Sequence, residues 1–277
     1  MATAAAYGAV MLGAIWAGGV PALGRYSDLI LGAVIGVMAG FASAEFYSMS
    51  RRESRLPNEM FGIAAAALMP VAAAIWGMAG LTSALTLLIA ASLVWHVVFI
   101  RVRTTDTATT VFGAIYTGFL LSYLVLILRN FSVGGHTVGR ALALTVVIGV
   151  WANDSLAYLV GSMIGRHKMV PRISPKKSWE GFVAGLLGTL AVWTALPFLV
   201  PNTGLSVPWA MVTGTVVGAT VVIGDLFESR MKREAGVKDS GTALPGHGGF
   251  LDRLDSLILV CLVAYWMLVW GGLVHRS

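Results

Sequence analysis

Apolar runs long enough to cross a membrane recur along the chain, separated by short polar segments. A helix needs about 20 apolar residues to span a bilayer. The pattern therefore predicts an all-α, polytopic integral membrane protein with about nine transmembrane helices. The predicted spans are Tyr7–Leu23, Leu29–Phe46, Met60–Met78, Leu81–Ile100, Ala108–Leu128, Ala141–Met163, Phe182–Val200, Val207–Phe227 and Leu254–Leu273.

Composition supports this class and excludes several others. Only 12% of the 277 residues are charged and the mean hydropathy is +0.81, which no ordinary soluble domain matches. The single cysteine, Cys261, excludes an intramolecular disulfide and any multi-cysteine zinc or iron–sulfur site. The cations lie in short loops rather than along one face, so nucleic acid is not an expected partner.

The distribution of lysine and arginine predicts the orientation. Of the 19 such residues, 15 follow spans two, four, six and eight. Cytoplasmic loops carry the excess of these residues, so we expect those loops and the N-terminus inside and the C-terminus outside. The 15 are Arg51, Arg52, Arg55, Arg101, Arg103, Arg166, Lys168, Arg172, Lys176, Lys177, Arg230, Lys232, Arg233, Lys238 and Arg253.

The acidic residues divide the chain into two parts. Eight of the 13 lie from Asp154 onward. We therefore predict a scaffold of about five spans enclosing a lipid cavity in residues 1–140, and a catalytic membrane region in residues 141–277 with cytoplasmic loops 164–181 and 228–253. In the first part Glu45 and His96 are interpreted as structural: Glu45 lies near a helix end beside Arg51 and Arg52, and His96 suits an interhelical hydrogen bond.

Two pairs of acids flank the loop 228–253. Asp225 and Glu228, like Asp252 and Asp255, are three residues apart, so on a helix each pair shares one face. Two such helix ends facing each other would offer hard oxygen ligands to magnesium, which takes one or two carboxylates together with substrate phosphates.

Between these pairs lie cations and a glycine-rich turn, Pro245–Gly249. The cations, Arg230, Lys232, Arg233 and Lys238, could hold a polyphosphate, although the positive-inside rule alone also explains them. The turn lets backbone N–H groups approach an anion. His247 within it suits a general base, a phosphate donor or a turn residue.

The loop 164–181 carries a second set of polar residues. Asp154, Tyr158, Gly161 and Gly165 fall on one helix face, and the glycines suit close helix packing. An acid inside a span needs a cation or a polar cavity, so Asp154 is a candidate functional residue.

A helix is predicted to begin in this loop, with Ser174 as N-cap and Pro175 at the first position. Lys176 and Lys177 would then oppose the helix dipole unless an anion binds there. The alternative is that both lysines only anchor the topology.

These residues resemble the signature of the phosphatidate cytidylyltransferases, also called CDP-diacylglycerol synthases. The resemblance covers roughly the half from Asn153 to Ser256, while the first five spans match only in hydropathy. The motifs that carry it are Ser229–Arg233, Lys238–Asp239, Pro245–Gly249, Asp252–Ser256 and Ile173–Gly181, with Asp154 and Ala157–Tyr158 upstream.

The resemblance implies an enzyme of phospholipid synthesis in the bacterial inner membrane, with its active site on the cytoplasmic side. Its substrates would be CTP and phosphatidic acid, its products CDP-diacylglycerol and pyrophosphate, and its surroundings membrane lipids. It also implies Mg²⁺ as cofactor, leaves open a second cation such as K⁺, and suggests a homodimer.

The same resemblance assigns roles to individual residues. Asp225 and Asp252 would hold the metal ion, with Glu228 and Asp255 in support. The catalytic residues would be Asp225, Asp252, Asp255, Lys232, Asp239 and His247. The substrates would be bound by Ser229, Arg233, Lys238, Arg253, Lys176, Lys177 and Asp154.

Two alternatives stay open at this point. A CTP-dependent lipid or polyprenol kinase would use the same metal and phosphate groups but transfer the γ-phosphoryl group. An ion-coupled transporter would account for Asp154 inside a span, but the chain has no paired broken spans or inverted repeats of the kind that many transporters carry.

Overall fold

The computed structural model describes residues 2–17, 26–53, 55–131, 137–200, 203–241 and 248–273. Within these ranges a π-helical turn, Ile115–Phe119, joins α4 to α5, and β1 (Lys168–Val170) pairs with β2 (Ser174–Ser178). The helices are α1 (Ala2–Ala17), α2 (Tyr26–Arg52), α3 (Glu59–Val98), α4 (Thr104–Ala114), α5 (Leu120–Asn130), α6 (Thr137–Ile164), α7 (Trp179–Leu199), α8 (Val207–Glu234) and α9 (Leu251–Trp270).

The predicted all-α, polytopic membrane architecture is confirmed. Seven helical segments of the described ranges are long and apolar enough to cross a membrane, with α4, the π turn and α5 forming one of them. Helix α1 is apolar but shorter. The count of nine spans is not confirmed.

Predicted spans three and four are the two arms of α3, which bends at Gly77. This residue has a φ of 63°, a left-handed conformation that interrupts the helix and that glycine adopts without steric cost. The bend returns the chain to its starting end, because Phe61 near the beginning of α3 and Trp95 near its end line the same small cavity.

Four polar segments meet at one end of the bundle, which we call the polar end: residues 53 and 55–58, residues 99–106, residues 165–178, and residues 228–241 with 248–253. Backbone N–H groups of Leu56 and Asn58 donate to the side chains of Asp106 and Thr110, each at 2.9 Å. The Arg233 Nε donates to the carbonyl of Ile173 at 3.4 Å. The loops predicted to share one side of the membrane therefore lie together.

One predicted interhelical contact in the first half is confirmed. His96 Nδ1 lies 3.1 Å from the Thr107 hydroxyl and so links the end of α3 to α4.

Helix α5 occupies the centre of the bundle. Its residues from Leu124 to Leu128 are fully buried, and it packs against α2, α3, α6 and α9. A helix that is apolar on all sides needs such an enclosed position. At its end the Asn130 amide donates to the Tyr265 hydroxyl at 3.1 Å, so α5 joins the first half of the chain to the last helix.

Small residues let α6, α7 and α8 approach closely. A Cβ added at Gly185 would lie 2.7 Å from the Asn153 Oδ1. The Asn153 amide donates to the Thr189 hydroxyl at 2.9 Å and to the Gly218 carbonyl at 3.2 Å. Gly161 faces Gly181 across the α6 and α7 interface, which is the packing role predicted for it.

The predicted helix start at Ser174 and Pro175 is wrong. These residues belong to β2, which pairs with β1 in antiparallel register, and α7 begins after Ser178, whose hydroxyl accepts from the Gly181 N–H at 3.2 Å. A residue before proline disfavours the helical region, so extended pairing prevails until Ser178 supplies a cap. Lys176 and Lys177 therefore lie on a strand, and the helix-dipole argument for an anion beside them falls.

Because the π turn packs closely against α3, we expect one added methyl group at Gly118 to lower the stability of the protein. In Gly118→Ala the new Cβ would lie 2.5 Å from the Ala66 Cα, and such overpacking costs about 1–3 kcal/mol. We expect a lower unfolding temperature of the detergent-purified variant in a thermal melt.

The control is Gly13→Ala on α1, where no atom lies within 4 Å of the added carbon. Alanine is favoured over glycine inside a helix by about 1 kcal/mol, so this variant should melt no lower than the unsubstituted protein. Equal melting temperatures for both variants would contradict the close packing at Gly118.

Candidate active site

A cavity of about 660 Å³ lies between α6, α7, α8 and the β1–β2 hairpin at the polar end. It brings together four residues predicted from two separate loops: Asp154, Lys176, Lys177 and Asp225. Its remaining polar lining comes from Asn153, Tyr158, Ser162, Lys168, Ser174 and Ser178. Apolar groups such as Phe182 and Val222 complete the wall, so the cavity combines a charged part with an apolar part.

Asp225 is held on α8 by two partners. The Lys177 Nζ of strand β2 lies 2.7 Å from its Oδ2, and the Ser229 hydroxyl, one helical turn further on, donates to its Oδ1 at 3.1 Å. The strand that replaced the predicted helix start therefore delivers Lys177 directly to the predicted metal ligand.

A second charged group joins α8 to α9. The Lys232 Nζ lies 2.5 Å from the Glu228 Oε2 and 2.7 Å from the Asp252 Oδ1. Glu228 is fully buried, and a buried charge is costly unless it is paired. The two acidic helix ends face each other as predicted, and in this structure a lysine bridges them.

Asp252 also closes the glycine-rich loop. Its Oδ2 accepts from the backbone N–H groups of Gly249 at 2.8 Å and Ser240 at 3.1 Å. Gly248 beside it has a φ of 79°, which favours glycine. One carboxylate in the first turn of α9 thus fixes both described ends of the loop.

The carboxylates of Asp154, Asp225 and Asp255 lie close enough for their charges to repel one another. Lys177 and Lys232 are the cations that act on this group. In the described ranges no three His, Cys, Asp or Glu residues form a ready metal cage. Magnesium typically needs only one or two carboxylates beside substrate phosphates, so this oxygen-rich, acidic donor set fits a hard cation.

The other predicted site residues lie outside the cavity. Arg233, Lys238, Asp239 and Arg253 are exposed at the polar end. Arg230 pairs with Glu234 at 2.9 Å on the surface of α8. His247 lies outside the described residues, so its predicted role stays a prediction.

Tyr116 is a candidate site residue that the sequence pattern did not single out. It lies on the π turn, and its ring contacts Phe227 of α8 with the centroids 5.2 Å apart. Its buried hydroxyl has no hydrogen-bond partner in the ranges that the structure describes, and the charges of Asp225 and Asp255 act on it. An aromatic residue within an apolar run carries no signal that could have revealed this placement.

Glu45 lies near the end of α2, as predicted, and its hydrogen-bond partners come from a distant segment. Arg51 pairs with Glu59 at the surface, whereas the Glu45 carboxylate is buried against the first residues of α9. Donors from the distant loop and from the start of α9 meet the carboxylate.

Comparison with known proteins decides the family. A family model described as the cytidylyltransferase family matches residues 1–270. The chain belongs to the cytidylyltransferase family. The resemblance found in the loop motifs is thereby confirmed, and the family match extends over the first five spans as well.

Curated relatives within this family carry a specific name. The phosphatidate cytidylyltransferase of Thermotoga maritima is 46% identical over 156 residues, covering 54% of this chain and 55% of the relative. That of Mycobacterium leprae is 41% identical over 165 residues, covering 59% and 50%. That of Haemophilus influenzae is 48% identical over 124 residues, covering 43% and 42%. The chain spans about half the length of the curated relatives it matches.

The bridge between α8 and α9 predicts unequal effects of two substitutions on one helix. In Lys232→Met the buried Glu228 would lose its cation, and breaking a buried pair costs about 3–5 kcal/mol. We expect a large drop in the thermal unfolding temperature.

The matched control is Arg230→Met, which removes an exposed pair with the same i, i+4 spacing. Exposed pairs contribute about 0–1 kcal/mol, so the control should change stability little. Comparable melting shifts in the two variants would show that burial of Glu228 does not set the cost.

Proposed function

We propose that this protein transfers the cytidylyl group of CTP to phosphatidic acid, giving CDP-diacylglycerol and pyrophosphate. The observation that carries the proposal is the cavity whose lining combines Lys176, Lys177, Asp154 and Asp225 with apolar groups. A phospholipid presents a charged phosphate beside apolar chains, so the cavity suits that substrate class. The names of the curated relatives support the same activity.

The chemistry is an in-line displacement at phosphorus. A phosphate oxygen of phosphatidic acid forms a bond to the α-phosphorus of CTP, and the bond from that phosphorus to the oxygen bridging to the β-phosphorus breaks. Pyrophosphate leaves with the electron pair. Because the nucleophile is already an anion, no general base is required, and the barrier is mainly one of charge and position.

Cationic side chains of the protein can neutralise the phosphate charges and position the substrates. Lys176 and Lys177 line the cavity and would meet substrate phosphates as point charges. Lys177 already lies against Asp225, so it can share its charge between that carboxylate and a phosphate. Lys232 pairs with Glu228 and Asp252, and so holds these two carboxylates in place.

A magnesium ion is the proposed cofactor, with Asp225 and Asp252 as its protein ligands. The Asp252 Oδ1 accepts a hydrogen bond from Lys232, and a carboxylate oxygen offers more than one lone pair to donors or cations. When bound, the ion would neutralise charge on the triphosphate. A second cation such as K⁺ stays a prediction.

The polar end is proposed to face the cytoplasm of a bacterial inner membrane. Most of the lysines and arginines lie there, as the positive-inside rule requires, and the same side supplies CTP. The acyl chains would remain in the bilayer while the headgroup enters the cavity. The homodimer implied by the resemblance stays a prediction.

The proposed reaction predicts where the α-phosphate of CTP goes. Detergent-purified protein given CTP labelled at that phosphate, phosphatidic acid and magnesium should form a labelled, chloroform-soluble lipid and release pyrophosphate. Chelation of the metal and Asp225→Asn should each abolish label transfer.

Products other than a labelled lipid and pyrophosphate would contradict the proposed cytidylyl transfer. Label that stays in water-soluble CDP while the lipid gains the γ-phosphate would replace transfer by kinase activity. Full activity of folded Asp225→Asn protein would remove this residue from the proposed metal site.

Lys176 predicts a selective effect on binding. In Lys176→Ala we expect the KM for CTP or phosphatidic acid to rise about tenfold, because one phosphate-facing charge, typically worth about 1.5–3 kcal/mol in a hydrogen bond, is lost. The control is Arg172→Ala in the hairpin turn, an exposed residue outside the cavity lining. Equal kinetics for the two variants would return Lys176 to a purely topological role.

A further inference from the structure

Glu45 of α2 makes a set of contacts that reaches the proposed site from the first half of the chain. Its Oε2 accepts from the Ser240 hydroxyl and from the Leu251 N–H, each at 2.8 Å. Its Oε1 accepts from the Phe250 N–H at 3.0 Å. These four residues form what we call the Glu45 clamp, which closes across as many as 206 positions of sequence.

The clamp supplies the cap that α9 lacks. Phe250 is the N-cap residue of α9 and makes no side-chain capping bond. The first N–H groups of a helix have no partner within it, and the positive end of the helix dipole favours a carboxylate. Glu45, brought in by another helix, takes the place of the missing capping side chain.

The loop is shaped to admit this carboxylate. A Cβ at Gly241 would lie 2.5 Å from the Glu45 Oε1, and a Cβ at Gly249 would meet the Glu45 Oε2 and the Ser240 Oγ at closer range still. Both positions therefore need glycine for Glu45 to reach its donors.

A second contact between the same segments supports the arrangement. Phe41, one helical turn before Glu45, stacks on Phe250 with ring centroids 4.9 Å apart and an interplanar angle of 14°. Helix α2 thus holds the start of α9 through one polar and one aromatic contact.

The clamp shares a residue with the site. Ser240 donates its hydroxyl to Glu45 and its backbone N–H to Asp252. Asp252 in turn bonds Lys232 of α8. Any shift of the loop away from Glu45 would therefore move the donors that orient Asp252.

We propose that Glu45 is a positioning residue for the cytidylyl transfer: it fixes the loop and the first turn of α9 so that Asp252 and Asp255 keep their places opposite α8. It acts through backbone N–H groups and Ser240 and touches no reacting atom. This inference rests on the proposed function, because the effect of Glu45 is exerted on the site assigned above.

The decisive variant is Glu45→Gln, which keeps the size and replaces one accepting oxygen by a donating amide. At least one of the three donors then loses its acceptor. Because displacement of reacting groups by about 1 Å can cost about 100-fold in rate, we expect kcat to fall about 10- to 100-fold while the KM for CTP changes less than about twofold.

Hydrogen exchange of the same purified proteins supplies a readout independent of activity. At least one of the backbone amides of Phe250 and Leu251 should exchange faster in Glu45→Gln, since the two donate to different oxygens of Glu45 and glutamine keeps only one. The matched control is Tyr47→Phe, which removes the hydrogen bond of α2 to the Thr110 carbonyl. It should leave both the exchange at Phe250 and kcat unchanged.

A double variant separates positioning from general destabilisation. Ser240→Ala removes one donor of the clamp, so adding it to Glu45→Gln should lower kcat by less than the product of the two single effects. Fully multiplicative effects would contradict action through one shared unit.

Each outcome decides one claim. Unchanged exchange at Phe250 and Leu251 in Glu45→Gln would overturn the clamp, and faster exchange with unchanged kcat would overturn its positioning role. If the unsubstituted protein converts no CTP and phosphatidic acid, the proposed function and the positioning role it supports fail, while the exchange result still decides whether the clamp exists.

Discussion

The arrangement of the polar end depends on the hydrogen bonds that the Asp252 carboxylate accepts. This carboxylate binds Lys232 of α8 through one oxygen and the backbone of Ser240 and Gly249 through the other. A partly buried carboxylate at the end of an apolar helix is tolerated only when donors surround it. Because those donors come from α8 and from the loop, while the acid itself lies on α9, satisfying one charge fixes the relative position of three segments.

The need to surround buried carboxylates with donors also explains why the two halves of the chain contact each other at the polar end. Lipid favours helices whose backbone groups are satisfied internally, so polar contacts concentrate at helix ends. Glu45 and Asp252 each hold one side of Ser240, and α5 packs between the halves further along the bundle. The first helices thus take part in shaping the site as well as in surrounding it with apolar residues.

The residues that the sequence revealed are those whose burial is costly. Asp154, Asp225 and Asp252 stand out because an acid beside a span needs a partner, and the structure brings Asp154 and Asp225 to one cavity. The start of α7 was predicted wrongly because strand pairing of Ser174–Ser178 outweighed a local capping pattern. The placement of Tyr116 and the partners of Glu45 escaped prediction because the contacting residues are distant in sequence, and local pattern carries no information about such contacts.

The long separation within the Glu45 clamp bears on how the molecule is made. Glu45 leaves the ribosome well before Leu251, which lies 206 residues later in the chain. The Glu45 carboxylate therefore has none of these hydrogen-bond donors until the loop and the start of α9 have been synthesised. Since contacts between distant residues form late in folding, the site is completed only after α9 has been made, and a chain that stops before α9 carries no assembled site.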